Sequence, residues 1–403
     1  MLQGKLASLP RVVREAAPYD LWLQAVSMGE VAAAEAIVDA LLERCPELKI
    51  VVSSSTPAGF GKALSSLGDR CTVIPFPYDF PQVVRRAVEG LRPRVYASVE
   101  TELWPNLLHE LRARGVATVL LNGRISARSL PRYRRIRGLV APLLAGFDRI
   151  AAISETTARR LQELGAPLSA VSVVGNAKFE ALLRRPDHRR LAGLRGRMGL
   201  ESGARVLVAG SLRGKEGATV LDCYLQLLHA YPKLHLFLVP RHLSRLSYLR
   251  RELRRRRLEY RPWSEVEEEG LGRARVVLVD VIGPLFELYG LADVAFVGGS
   301  LAPKGGQNLM EPAAWGRPVI FGPHVDNFED AAAALLEGGG GWMVSNGSEL
   351  TAAVRRLLND HELRQEMGAR ARTSLEELSA RAASRHAEII LEVYRGRCGG
   401  GGR

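Results

Sequence analysis

Short apolar runs alternate along this chain with longer stretches in which apolar positions recur every three or four residues. The first runs are 21–27 (LWLQAVS), 48–53 (LKIVVS), 71–75, 94–99 (RVYASV), 117–121, 149–153 and 171–174. Between the first two, residues 29–44 place Val31, Ala34, Ile37, Val38, Leu41 and Leu42 at helical spacing. Pro57 stands where the first turn of the next helix is expected. Strands alternating with helices predict a parallel sheet covered on both faces. After a polar, arginine-rich stretch at 184–203 the pattern restarts, with runs at 205–209, 234–239, 275–280, 293–297 and 318–321. Helical stretches at 348–359 and 362–394 follow, and the tail 399–403 is low in complexity and expected to be disordered. The prediction is two similar α/β halves, 1–183 and 204–398, joined by a linker at 184–203. Ligands of such folds bind at the carboxyl ends of the strands, so two halves imply a cleft between two sheets.

The totals agree and narrow the partners. A chain of 403 residues is too long for one ordinary core, and 47% hydrophobic with 25% charged residues is globular composition. The net charge of +13 comes almost wholly from arginine, which suggests nucleic acid, phosphorylated small molecules or an acidic membrane surface. Cys45, Cys71, Cys223 and Cys398 show no CxxC or Cys/His spacing; this argues against a disulfide framework and a zinc site and fits a reducing cytoplasm. No apolar run reaches membrane-spanning length, and residues 1–20 lack a signal-peptide core. The expectation is a cytoplasmic protein that touches a membrane only at its surface.

Candidate chemistry collects in the loops after strands. The stretch 295–323 reads strand, Gly298-Gly299-Ser300, Gly305-Gly306, then a short helix from Asn308. That order presents free N–H groups and a positive helix end to an anion; alternatively the glycines serve tight turns only. Asn308 and Glu311 share one helical face, with Glu311 either a partner for sugar hydroxyls or a first-turn helix acid. Ser27-Met28-Gly29-Glu30 is either a capping box or the site of a general base at a strand end, kept ionised by the helix dipole. Glu100 and Glu102 alternate in an expected extended segment and so form a pair or act as helix N-terminal acids. No Asp-x-Asp or His cluster accompanies them, so a metal role is less supported. Pro240-Arg241-His242 ends a strand in a way that suits phosphate or carboxylate, and Ser54, Arg124, Lys178 and Ser211 occupy comparable loops. From Arg112 to Arg149 the chain holds nine arginines against one acid, Asp148. Arg134 and Arg135 in that run belong to a nucleic-acid surface, a solvated helix face or a platform for anionic lipid. With only Tyr133 interleaved, nucleic acid is the least supported partner.

Taken together, SMGE at 27–30, ETELWPN at 100–106, NGRIS at 122–126, GNAKF at 175–179, VPRH at 239–242 and FVGGSLAPKGGQNLMEPAAWGRPVIFGPHVDNF at 296–328 resemble the 3-deoxy-D-manno-octulosonic acid (Kdo) transferases of lipopolysaccharide core synthesis. The resemblance implies a GT-B glycosyltransferase, two Rossmann-like domains facing each other across a cleft. The first half would take the acceptor and the second CMP-Kdo. It implies inverting transfer to a lipid A precursor without cofactor or metal, at the cytoplasmic face of the inner membrane. Carried over by position, Glu30 would be the base, and Glu100 and Lys178 would stabilise the transition state. Ser211, Pro240, Arg241, Ile282, Gly283, Gly299, Ser300 and the run Asn308, Leu309, Met310, Glu311 would hold CMP. Ser54, Arg124, Arg134 and Arg135 are the acceptor-side candidates. Three departures from the family pattern stand out: Pro284 in place of an acid, Ser211-Leu212-Arg213-Gly214-Lys215-Glu216-Gly217 in place of Ser-Thr-His-x-Gly-Glu-Glu, and no apolar N-terminal anchor. The alternatives are a GT-B transferase for another nucleotide sugar and a non-catalytic nucleotide-binding protein of two domains.

Overall fold

A computed structural model describes residues 9–201 and 203–398; the tail expected to be disordered lies outside them. The chain forms two compact units, one of residues up to Ala181 together with those from Ser379 onward, the other Leu182–Leu378.

The first unit is built on seven parallel strands: β1 Leu21–Gln24, β2 Ile50–Ser54, β3 Thr72–Pro75, β4 Val95–Val99, β5 Ala117–Gly123, β6 Arg149–Ala152 and β7 Val171–Val173. Their order is β3-β2-β1-β4-β5-β6-β7. Because side chains alternate across a strand, both faces must be apolar. Leu21 and Leu23 enter one core cluster, while Trp22 between them enters the cluster on the opposite face with Tyr96 and Leu120. Strand order reverses between β1 and β4, so the loops leaving these two strands diverge and leave a crevice at their carboxyl ends. Those loops carry Ser27–Glu30 and Glu100–Glu102.

The last helix, Ala382–Cys398, packs on this unit. Ala383, Ala387, Ile390 and Leu391 share a core cluster with Val31, Ile37 and Leu41, and Arg44 meets Glu388 at 2.8 Å. The helical stretch expected at 362–394 is two helices, His361–Ser379 and Ala382–Cys398, parted by Arg381 in the left-handed region at φ 54°. Periodicity reveals that a helix has an apolar face, but not which sheet receives it; this is where the expected domain boundary differs.

The second unit repeats the plan with β8 Arg205–Leu212, β9 Leu234–Pro240, β10 Arg261–Pro262, β11 Val276–Leu278, β12 Val294–Val297, β13 Val319–Phe321 and β14 Gly341–Met343. The order is β10-β11-β9-β8-β12-β13-β14, again parallel. The edge strands β10 and β14, two and three residues long, carry too little apolar pattern to be foreseen. The stretch expected as a linker contains the helix His188–Arg197, capped by Asp187, whose Oδ1 accepts from the N–H groups of Arg189 and Arg190 at 3.0 Å. Here strand order reverses between β8 and β12. The loop of Ser211–Glu216 and that of Gly298–Ala302 therefore meet.

Candidate functional site

In the first unit, the turn after β1 builds both alternatives for Glu30 at once. Ser27 caps the helix Met28–Arg44, its Oγ accepting from the Glu30 N–H at 3.5 Å. In return the Glu30 carboxylate accepts from Ser27 Oγ at 2.8 Å and from the Val26 N–H at 2.7 Å. These bonds fix the carboxylate while burial leaves it only 6% exposed. Its proton affinity is raised, first by burial and then by the charge of Glu100; the Val26 and Ser27 bonds and Lys178 oppose this. The helix dipole was expected to hold Glu30 low, but desolvation outweighs it.

Glu100 leaves β4 in the left-handed region, φ 65°, held there by its N–H on the Leu121 carbonyl at 2.8 Å. Such a backbone is sparsely populated for a non-glycine residue and persists only where its surroundings enforce it. It turns the Glu100 carboxylate to the Lys178 ammonium, with which it forms an ion pair. A Cβ on Gly29 would lie 3.5 Å from Lys178 Nζ, so the ammonium sits over the turn that carries Glu30. The segment is not extended: the Glu102 N–H bonds the Glu100 carbonyl at 2.9 Å. Nevertheless the acids converge, because burial and then the charges of Glu30 and Glu100 push Glu102 up to about 7. Three carboxylates thus gather, two of them, Glu100 and Glu30, within reach of the Lys178 charge.

The rest of ETELWPN is structural. Trp104 packs on Phe76 with centroids 5.0 Å apart. Asp79 caps the helix Pro105–Ala113, accepting from the N–H groups of Asn106 at 3.1 Å and Leu107 at 2.8 Å. Asn122, at φ 51° and fully buried, accepts the Ala177 N–H at 3.0 Å and so holds the loop that presents Lys178. Among the acceptor-side candidates, Arg124 lies beside this cluster, its N–H on Thr101 Oγ1 at 3.0 Å. Ser54 is fully buried and donates to the Val26 carbonyl at 3.1 Å, bracing the turn before Glu30. Arg134 and Arg135 are exposed, Arg134 pairing with Glu163. Next to them Ile136 and Leu139 are 48% and 73% exposed.

In the second unit, Ser211, Pro240, Arg241, Ile282 and Gly283 all line one cavity of about 320 Å³, whose wall Pro284 completes. They come from three separate loops, after β8, β9 and β11. Gln307 Oε1 accepts from Arg241 Nε at 2.9 Å, which places the Asn308 turn beside the arginine. Asn308 Nδ2 meets Glu311 Oε1 at 3.2 Å, and burial raises the proton affinity of Glu311 against the pull of Arg185, Asn308 and Arg241.

Several groups expected at the donor are engaged within the protein. Leu309 and Met310 are wholly buried in the core, and the Met310 N–H is taken by Asn308 Oδ1 at 3.2 Å. The expected helix from Asn308 spans only Met310–Ala314. Gly299 and Ser300 offer no free N–H to a phosphate. The glycine loop instead closes on Glu216, 2% exposed, whose Oε2 accepts from Gly299 at 2.6 Å and Arg213 at 2.8 Å. Its Oε1 accepts from Ser300 and Leu301 at 2.9 Å and Ala302 at 3.2 Å. Ser300 Oγ is consumed by Gly322 N–H and the Val297 carbonyl. The anion predicted for this loop is thus supplied by the protein itself. Glu216 stood in the quoted segment Ser211–Gly217 without a role, because four of its five partners lie more than 80 residues away. Asn122 and Gln307 likewise lie inside quoted motifs without an assigned role, whereas Glu102 was expected to pair with Glu100 or to act as a helix N-terminal acid.

A family model described as 3-deoxy-D-manno-octulosonic-acid transferase (kdotransferase) matches residues 3–181. The chain is 34% identical over 359 residues to a 3-deoxy-D-manno-octulosonic acid transferase of Haemophilus influenzae, covering 87% of this chain and 82% of that protein. It is 35% identical over 366 residues to one from Bordetella pertussis, with the same coverage of 87% and 82%. A glycosyltransferase structure from Rickettsia africae superposes with a TM-score of 0.65 at 14% identity, covering 95% of this chain and all of that one. The two Rossmann-like units are those of a GT-B protein.

Proposed function

The chain belongs to the 3-deoxy-D-manno-octulosonic acid (Kdo) transferase family, and from that premise we propose that it moves Kdo from CMP-Kdo to a lipid A precursor with inversion. The observation that carries the mechanism is the cluster of Glu30, Glu100, Glu102 and Lys178 at the reversal point of the first sheet. Glu30 is the general base. It takes the proton of an acceptor hydroxyl as that oxygen forms its bond to the anomeric carbon of Kdo, and the bond from that carbon to the CMP phosphate oxygen breaks. A carboxylate with raised proton affinity accepts a hydroxyl proton more readily than an ordinary one, which general base catalysis requires. Lys178, locked to Glu100, supplies positive charge beside the reacting sugar. CMP occupies the cavity of the second unit, where Arg241 faces the departing phosphate.

Charge compensation in this reading comes from side chains, and transfer is expected to persist in EDTA. Arg134, Arg135, Ile136 and Leu139 form a basic surface with exposed apolar tips, suited to an anionic leaflet; we place the enzyme peripherally on the cytoplasmic leaflet of the inner membrane. Among the described residues no helix is long and apolar enough to cross a membrane. The direct test is incubation with CMP-Kdo and a lipid A precursor, read by mass spectrometry for addition of Kdo. Absence of any Kdo-bearing product refutes the assignment.

A further inference from the structure

The Glu216 cradle has a consequence for donor recognition. Five backbone N–H groups converge on one buried carboxylate, the coordination an anion nest gives to phosphate. None of the five is therefore left for a nucleotide. The same carboxylate fixes the Arg213 backbone through its N–H at 2.8 Å. From that anchored position the Arg213 side chain runs past Gly299, where a Cβ would come within 3.2 Å of Arg213 Cδ and 3.3 Å of Gln307 Cγ. Only a residue without a side chain, at φ 69°, admits both neighbours there. Arg213 ends with Nη2 3.3 Å from His242 Nε2, and His242 lines the donor cavity. Arginine donates only, so that nitrogen accepts and the ring is held in one tautomer. Gln307, also against Gly299, holds Arg241 by its Nε at 2.9 Å, leaving its terminal nitrogens to other acceptors.

We propose that Glu216 is an internal substitute for a bound phosphate, and that by filling the glycine loop it hands recognition of the donor phosphate to a pair of guanidiniums, Arg213, which passes Gly299, and Arg241, held by the neighbouring Gln307. Glu216 is a positioning residue; Arg213 is a phosphate-binding residue. This rests on the reading of the cavity as the CMP site. It also makes sense of Arg213 in a chain whose phosphate contacts cannot come from the loop amides: a guanidinium is the side chain best matched to phosphate.

The test compares CMP with cytidine, which lacks the phosphate, in competition titrations on the full chain. In R213A the CMP dissociation constant is expected to rise about ten- to a hundredfold, the loss typical of a charge-assisted hydrogen bond, while cytidine binding stays unchanged; R213K restores part of the difference. Glu216→Ala is expected to lose CMP affinity in the same selective way, and formate, which fits the vacated cradle, to recover it. A merely structural role for either residue would weaken cytidine and CMP alike. If wild-type protein binds CMP and R213A binds it equally well, the phosphate role of Arg213 is overturned and the CMP site stands. If the wild type binds neither nucleotide, the donor assignment itself fails and this inference goes with it.

Discussion

Replacing Glu102 by glutamine tests the electrostatics of the carboxylate cluster without touching the proposed base. In the folded protein Glu102 titrates near 7 instead of its ordinary 4.5 because it is buried and faces Glu30 and Glu100. The sign follows from proton counts. Between these two values the folded state keeps a proton that the unfolded state has released, so stability falls as pH rises through the window and levels off above 7. At about 1.4 kcal/mol per pH unit the gap corresponds to about 3 kcal/mol, and partial solvent access to the cluster trims it to roughly 2–3 kcal/mol. Glutamine keeps the shape and cannot ionise. Glu102→Gln is therefore expected to be more stable than wild type at pH 8 by about this amount, with the difference shrinking towards zero near pH 5. Urea unfolding of both proteins at half-unit steps from pH 5 to 8 measures it. Parallel curves, with the variant no more stable at pH 8, would show that Glu102 is not held buried against Glu30 and Glu100 as the geometry implies.

Other consequences are tested separately. Glu30→Gln keeps the cap to Ser27 in outline but removes the base, so transfer should fall by at least about 10²-fold with CMP binding intact; near-normal turnover would return Glu30 to a capping role alone. Reversing charge at both Arg134 and Arg135 should weaken co-sedimentation with anionic vesicles and leave neutral vesicles unaffected, whereas unchanged sedimentation would remove that helix from the membrane face. CMP should stabilise the chain by about 2.7 kcal/mol at a hundredfold excess over its Kd, read by thermal shift against UMP, ADP and GDP. Stabilisation by a uridine nucleotide alone would reject the cytidine assignment, which matters because Pro284 stands where the family has an acid.

Much of the architecture was legible from local pattern, because a strand buried on both faces must be apolar throughout and a covering helix must repeat its apolar positions every three to four residues. Every expected strand reappears with ends shifted by at most a few residues, and Ser211, Pro240, Arg241, Ile282 and Gly283 meet in one cavity. Motif reading went astray where the partner of a group lies far along the chain. The glycine loop looked like an anion site, and it is one, but Glu216 occupies it. Ser54 looked available and is spent on Val26. Leu309 and Met310 sat inside a motif yet point into the core.

Alternation of apolar and polar positions alone determined that this chain makes two parallel α/β units and which loops lie at their chemical ends. Only tertiary structure decided which of those loops touch. Strand order reverses at β1/β4 and at β8/β12, which brings Glu30 to Glu100 in one unit, where Asn122 holds the loop of Lys178 beside them, and closes Gly299 onto Glu216 in the other. The proton affinity of a carboxylate, and whether an N–H is free, depend on neighbours within a few ångströms in space, a distance that spacing along the chain does not encode.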